Sequence, residues 1–134
     1  MKKILIFTGL IIILFTIKAT AQQENLAVKK GMIKVTVLYP GGEGKKFDMD
    51  YYLTKHIPMV KSLLAGDLKL TAIDKGVAGG NPGAPAPYIL ICYLYFDSVS
   101  AYQNAMKVNG SKILIDIPNY TNTQPVIQIS EVVE

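Results

Sequence analysis

Arginine and tryptophan are absent from the 134 residues, and histidine and cysteine occur once each, as His56 and Cys92. A lone cysteine cannot close an internal disulfide, so packing alone has to hold the fold. One histidine and one cysteine exclude a multi-histidine or multi-cysteine metal centre, and the sequence points to no metal site. With no arginine, and with lysines paired only at Lys29-Lys30 and Lys45-Lys46, the dense basic footprint of a nucleic-acid binder is missing. Dinucleotide and P-loop fingerprints are missing too: the glycine-rich stretch Pro40-Gly41-Gly42-Glu43-Gly44 contains neither G-x-G-x-x-G nor G-K-[ST]. It reads as a mobile loop beside a pocket. No internal repeat or low-complexity block interrupts the chain.

The first residues supply the one long apolar run. Lys2 and Lys3 precede Ile4 to Ile17, and Ala19-Thr20-Ala21 follows, the three-part pattern of a signal peptide cleaved after Ala21. The run is shorter than the roughly 20 residues of a spanning helix, so removal is expected and no stable membrane anchor. The mature protein is therefore expected outside the cytoplasm, periplasmic or secreted. Taking residues 1–21 from 134 leaves 113, enough for one domain. The formal charge of +4 falls to +1 once Lys2, Lys3 and Lys18 are removed, because 11 lysines then face 10 acids. Residues 22–31 are polar with no periodicity and read as a flexible leader. The domain is expected over 32–134.

The single histidine lies in Phe47 to Leu64. Asp48 is placed to cap a helix and Asp50 to sit in its first turn, with Phe47 packing back as a staple. At helical spacing Tyr52, His56, Met59, Val60 and Leu64 share one apolar arc, opposite Thr54, Lys55, Lys61 and Ser62. His56 thus falls inside the buried face, where desolvation favours the neutral imidazole. Pro58 lacks an N–H and crowds the residue before it, which predicts a kink or break at His56 to Pro58. From the residues alone, a core histidine satisfied by the backbone and a catalytic one both fit.

Before this helix, Met32 to Tyr39 sets Ile33, Val35, Val37 and Tyr39 on one face of a strand. After it, Leu68 to Val77 reads as an edge strand, and Ala78 to Pro87 as a long hairpin loop. Tyr88 to Phe96 is apolar on both faces, the mark of a central strand, and contains Cys92 as a small buried hydrophobe. Asp97-Ser98 opens a second helix expected to close at Asn109-Gly110, with a further helical turn over Ser111 to Ile117 before Pro118. Val126 to Val132 alternates as a last strand. The order βαββαβ is ferredoxin-like: an α+β fold with a four-stranded antiparallel sheet covered by two helices on one face. The opposite face is left apolar and bare, and a second copy of the chain is its simplest cover.

The runs M-I-K-V-T-V-L-Y-P from Met32, F-D-M-D-Y-Y-L-T-K-H-I-P-M from Phe47, G-V-A-G-G-N-P-G-A-P-A-P-Y from Gly76, F-D-S at Phe96, and D-I-P-N-Y-T from Asp116 through Q-I-S-E at Gln128 resemble the EthD family. That family is of the dimeric α+β barrel class, and its members are often labelled reductases. The resemblance implies a homodimer and an oxidoreductase acting on a small hydrophobic molecule bound between the first helix and the sheet. It raises His56 to candidate acid/base, with Tyr52 a turn away and Asp116 or Tyr39 as orienting groups. Tyr39, Met59 and Tyr88 are the expected pocket residues. The cofactor stays unassigned, a borrowed haem or flavin included. A non-catalytic small-molecule-binding dimer and a cofactor-free cyclase or isomerase are the alternatives. A signal peptide departs from the usual family picture and argues against cytoplasmic electron carriers as partners.

Overall fold

The computed structural model describes residues 27–134; the expected signal peptide and the first part of the leader lie outside the described residues. Four strands, β1 (Ile33–Pro40), β2 (Leu70–Lys75), β3 (Tyr88–Phe96) and β4 (Val126–Glu131), form one antiparallel sheet in the order β2-β3-β1-β4. This is the expected ferredoxin-like arrangement, with β2 at an edge and β3 inside. The alternation of β3 sets its facing: Leu90, Cys92, Leu94 and Phe96 are buried towards the helices, while Ile89, Ile91, Tyr93 and Tyr95 point the other way. Register aligns Val35 with Leu94, Val37 with Cys92 and Tyr39 with Leu90, so β1 presents the same face. Leu90 and Phe96 are wholly buried, and side chains of this size contribute about 1.5–3 kcal/mol each on burial.

The first helix is built in three pieces. Asp48 Oδ1 accepts from the Tyr51 N–H at 2.9 Å, and an α-helical turn covers Met49–Tyr51. Phe47 packs on Tyr52 with ring centroids 5.2 Å apart, as expected of a staple. Tyr52–His56 is π-helical, and Ile57–Leu63 is α-helical again. Of the kink or break expected at His56 to Pro58, the break does not occur, and the helix widens over this stretch instead. The Ile57 N–H reaches back five residues to the Tyr52 carbonyl, and the missing proline N–H falls at the start of the resumed α-helix, where it costs little.

The second helix, Val99–Asp116, is capped by Ser98 Oγ, which accepts from the Ala101 N–H at 3.1 Å. Asn109-Gly110 does not stop it, contrary to expectation. Gly110 is buried, and a Cβ there would meet the Met106 side chain at 3.2 Å. Asn109 Nδ2 donates to the Ala105 carbonyl at 3.2 Å inside the same helix. Close packing outweighs the roughly 1 kcal/mol that glycine costs a helix relative to alanine. The helix ends instead at Pro118, in a 3-10 turn over Ile117–Asn119. Those extra turns carry Asp116 to the first helix.

Both helices lie on one face of the sheet. Beneath β4 the cover is thin: Ile127 is 47% and Ile129 is 44% exposed, although register places both on the helix side.

Candidate functional site

The site is built on His56, the last residue of the π-helical turn and 4% exposed. The π geometry stacks the imidazole on Tyr52, with centroids 5.2 Å apart and planes 22° apart. The Tyr120 ring packs against both, its centroid 4.6 Å from the imidazole and 5.1 Å from the Tyr52 ring. Nδ1 lies 2.8 Å from Asp116 Oδ2, delivered by the end of the second helix. Asp116 Oδ1 accepts from the Tyr51 hydroxyl at 2.9 Å and from Asn119 Nδ2 at 2.8 Å.

These contacts fix the charge states. Burial pushes the Asp116 carboxyl up, but hydrogen bonds from Asn119, His56 and Tyr51 outweigh it and hold the group below its ordinary value. Burial lowers the His56 pKa against the opposing pull of Asp116. An ionised Asp116 only accepts, so a neutral His56 carries its proton on Nδ1 and leaves Nε2 as an acceptor. The partner of Nε2 is the Tyr120 hydroxyl, at 3.4 Å. Among the described residues no buried side-chain nitrogen or oxygen lacks a partner. An unsatisfied Nε2 would cost about 1–3 kcal/mol, so Tyr120 donates to it. The Tyr120 oxygen in turn accepts from Tyr39, 2.8 Å away. Burial raises the pKa of Tyr39, Tyr52 and Tyr120, and all three stay protonated.

A cavity opens against this chain, between the helices and the sheet. Its free volume is about 60 Å³, and its mouth opens to solvent. Its wall is apolar over Val37, Val60, Leu94, Met106, Ile113 and Ile127, and His56, Tyr39, Tyr52, Tyr102 and Cys92 also line it. Burial raises the Cys92 pKa, so this side chain serves as a small apolar group. Among the described residues no cluster of three or more His, Cys, Asp or Glu is placed to hold a metal ion, and no helix is long and apolar enough to cross a membrane.

Of the residues singled out in the sequence, His56, Tyr52 and Asp116 come together, and Tyr39 joins them through Tyr120. Met59 and Tyr88 do not line the cavity. Met59 packs part-buried against the core, and Tyr88 begins β3 opposite Pro40. Sequence reasoning missed Tyr51, Asn119 and Tyr120. The available signal was the spacing in D-I-P-N-Y-T: Asp116, Asn119 and Tyr120 stand at i, i+3 and i+4, one turn of helix.

The site and sheet define a ferredoxin-like α+β protein with an apolar cavity and a histidine–carboxylate pair at its wall. The EthD domain model matches residues 42–124. An EthD-like protein from Ralstonia eutropha JMP134 is 45% identical, with a TM-score of 0.74 over 79% of this chain and 96% of that one. The chain belongs to the EthD family. An ethyl tert-butyl ether D (EthD) family protein from Bacillus halodurans C-125 is 21% identical, with a TM-score of 0.53 over 75% of this chain and 97% of that one. A dimeric ferredoxin-like protein of unknown function from Thermobifida fusca YX is 18% identical, with a TM-score of 0.51 over 81% and 97%. These last two share the fold. No curated protein matches the chain.

The lowered His56 pKa has a consequence for stability. The unfolded chain binds a proton at this histidine near 6.5, and the folded chain binds it only at lower pH. Stability from this group is therefore full above about pH 6.5 and is lost as pH falls from there through the folded value. Urea unfolding across pH 7.5 to 5 should show the midpoint falling in acid. Because His56 is the sole histidine, His56→Gln should flatten that dependence. A midpoint that rises on acidification would contradict the buried neutral imidazole.

Proposed function

We propose that this EthD family protein binds a small, uncharged, largely apolar molecule in the cavity between the helices and the sheet, and that His56 acts on it as general acid/base. The observation that carries the reading is the 2.8 Å contact between buried His56 Nδ1 and Asp116 Oδ2 at the wall of that cavity. Asp116 orients the imidazole and supports the imidazolium that forms when Nε2 takes a proton. The chemistry these residues supply is proton transfer, as in an isomerisation or cyclisation. An oxidoreductase, the activity that the family label suggests, would run the same proton transfer with a separate electron carrier or oxidant as co-reactant.

The reading extends to assembly and location. A homodimer is supported by the Thermobifida fusca protein and by the apolar strip Leu38, Ile89, Ile91, Tyr93 and Tyr95 on the sheet face turned away from the helices, flanked by Lys34, Thr36, Asp74 and Gln128. Export is supported by the basic start, the apolar run to Ile17 and Ala19-Thr20-Ala21.

Three measurements test these statements. In a turnover assay on a molecule identified by mass spectrometry of co-purifying ligands, His56→Gln should retain fold and cavity yet lose about 10²–10⁴-fold in rate. Full activity in that variant would sink the acid/base role. Light scattering should give twice the chain mass, and Ile91→Asp should shift it towards the monomer by burying an unpaired charge in the interface; a monomeric wild-type protein would refute the dimer. Terminal sequencing of protein from the native host should begin at Gln22, and an intact Met1 on soluble cytoplasmic protein would rule export out.

A further inference from the structure

The sheet face turned away from the helices carries two charges that its apolar strip does not call for. Among the strand residues on this face Lys34 of β1 is the one cation and Asp74 of β2 the one anion. Register fixes where they stand. Lys34 is opposite Tyr95 and Asp74 is opposite Ile91, so the two charges lie diagonally across β3 with Tyr93 halfway between them. At about 4.8 Å between strands and 3.3 Å per residue, that diagonal spans roughly 16 Å. It is too long for a direct pair within one chain, and the ion pairs among the described residues are His56–Asp116 and Lys69–Asp97. Both charges nevertheless approach the midpoint. Lys34 Nζ sits over the Tyr93 ring, 5.7 Å from its centroid. Burial pushes the Tyr93 phenol up, and the Asp74 carboxylate beside it adds to the rise.

From this placement we infer that two symmetric ion pairs, Lys34 of each protomer against Asp74 of its partner, set the register of the homodimer about a two-fold axis that passes over Tyr93. This rests on the homodimer proposed above, and it adds which of the possible face-to-face arrangements forms. A two-fold contact is isologous, so both copies offer the same patch and every contact between unlike residues is made twice. A partner that covers the apolar strip also covers Lys34, which stands beside Tyr95 on an interior strand. A charge buried there needs an opposite one, and the one anion on an identical face is Asp74. An axis between the two sheets, at right angles to the Lys34–Asp74 line and over its midpoint, exchanges the two ends of that line. Both pairs then form together, and the two Tyr93 rings meet at the axis, where aromatic side chains suit an interface core. An axis over either charge sets lysine on lysine or aspartate on aspartate, and repulsion rejects it. The charges therefore select one stacking among several that apolar contact alone leaves similar.

Exchanging the charges tests the pairing, read by light scattering and native mass spectrometry of the purified protein. Lys34→Asp sets two carboxylate pairs across the interface and Asp74→Lys two ammonium pairs, so each should raise the dimer dissociation constant at least about 100-fold. Mixed in equal amounts, the two variants should assemble into a heterodimer, because every aspartate then faces a lysine. Both substitutions on one chain should restore the homodimer for the same reason. If circular dichroism shows that one single variant does not fold, the other single variant and the double variant decide. Single variants that dimerise as tightly as wild-type protein overturn the pairing and leave the homodimer standing. Monomeric single variants whose mixture and double variant also stay monomeric overturn it too. Monomeric wild-type protein overturns both this inference and the proposed homodimer.

Discussion

Burying one imidazole imposes a demand that the surrounding structure meets group by group. Both ring nitrogens have to be satisfied without water, and the neutral form has to be kept. Asp116 answers Nδ1 and Tyr120 answers Nε2. Asp116 is in turn held ionised by Tyr51 and Asn119, and Tyr120 is held by Tyr39. The network therefore ties the first helix, the end of the second, the turn after it and strand β1 to a single ring. Apart from the local Asn119–Asp116 bond, its hydrogen bonds join residues 60 or more positions apart, so it is also a statement of how the fold closes.

Two local departures from ideal helix make that closure geometric. The π-helical turn over Tyr52–His56 adds width where Pro58 removes an N–H, and it brings Tyr52 flat against the imidazole. Single π-turns of this kind recur at functional sites because they re-aim side chains without ending the helix. In the second helix, buried Gly110 gives Met106 room and lets the helix run on to Asp116. Had it closed at Gly110, the carboxylate would stand at the end of a separate turn and not on a rigid rod.

The cavity follows from where the cover is incomplete. The helices seal β3 and β1, where Leu90, Phe96 and Val35 are almost wholly buried, but leave the helix side of β4 half open at Ile127 and Ile129. An apolar space with one polar wall results, and that wall carries the only histidine of the chain. The cavity and the buried network are thus one feature, a packing gap with its polar wall.

How much of this was legible beforehand divides by the range of the forces involved. Strand alternation, the caps at Asp48 and Ser98 and the βαββαβ order are written locally, because side-chain facing and capping depend on residues a few positions apart. His56 was legible as an inward-facing residue for the same reason, and family resemblance rather than spacing marked it for chemistry. Pro58 signalled the irregularity but not its form, a π-turn without a break, and Gly110 misled, because local propensity predicted a stop where packing preferred a continuous helix. The pairing of His56 with Asp116, the ring of Tyr120 over the imidazole and the direction of the phenol chain were decided only by tertiary structure. They depend on which distant hydroxyl reaches a buried lone pair. The same holds for Met59 and Tyr88, since an apolar face shows that a side chain is inward but not which part of the interior it reaches.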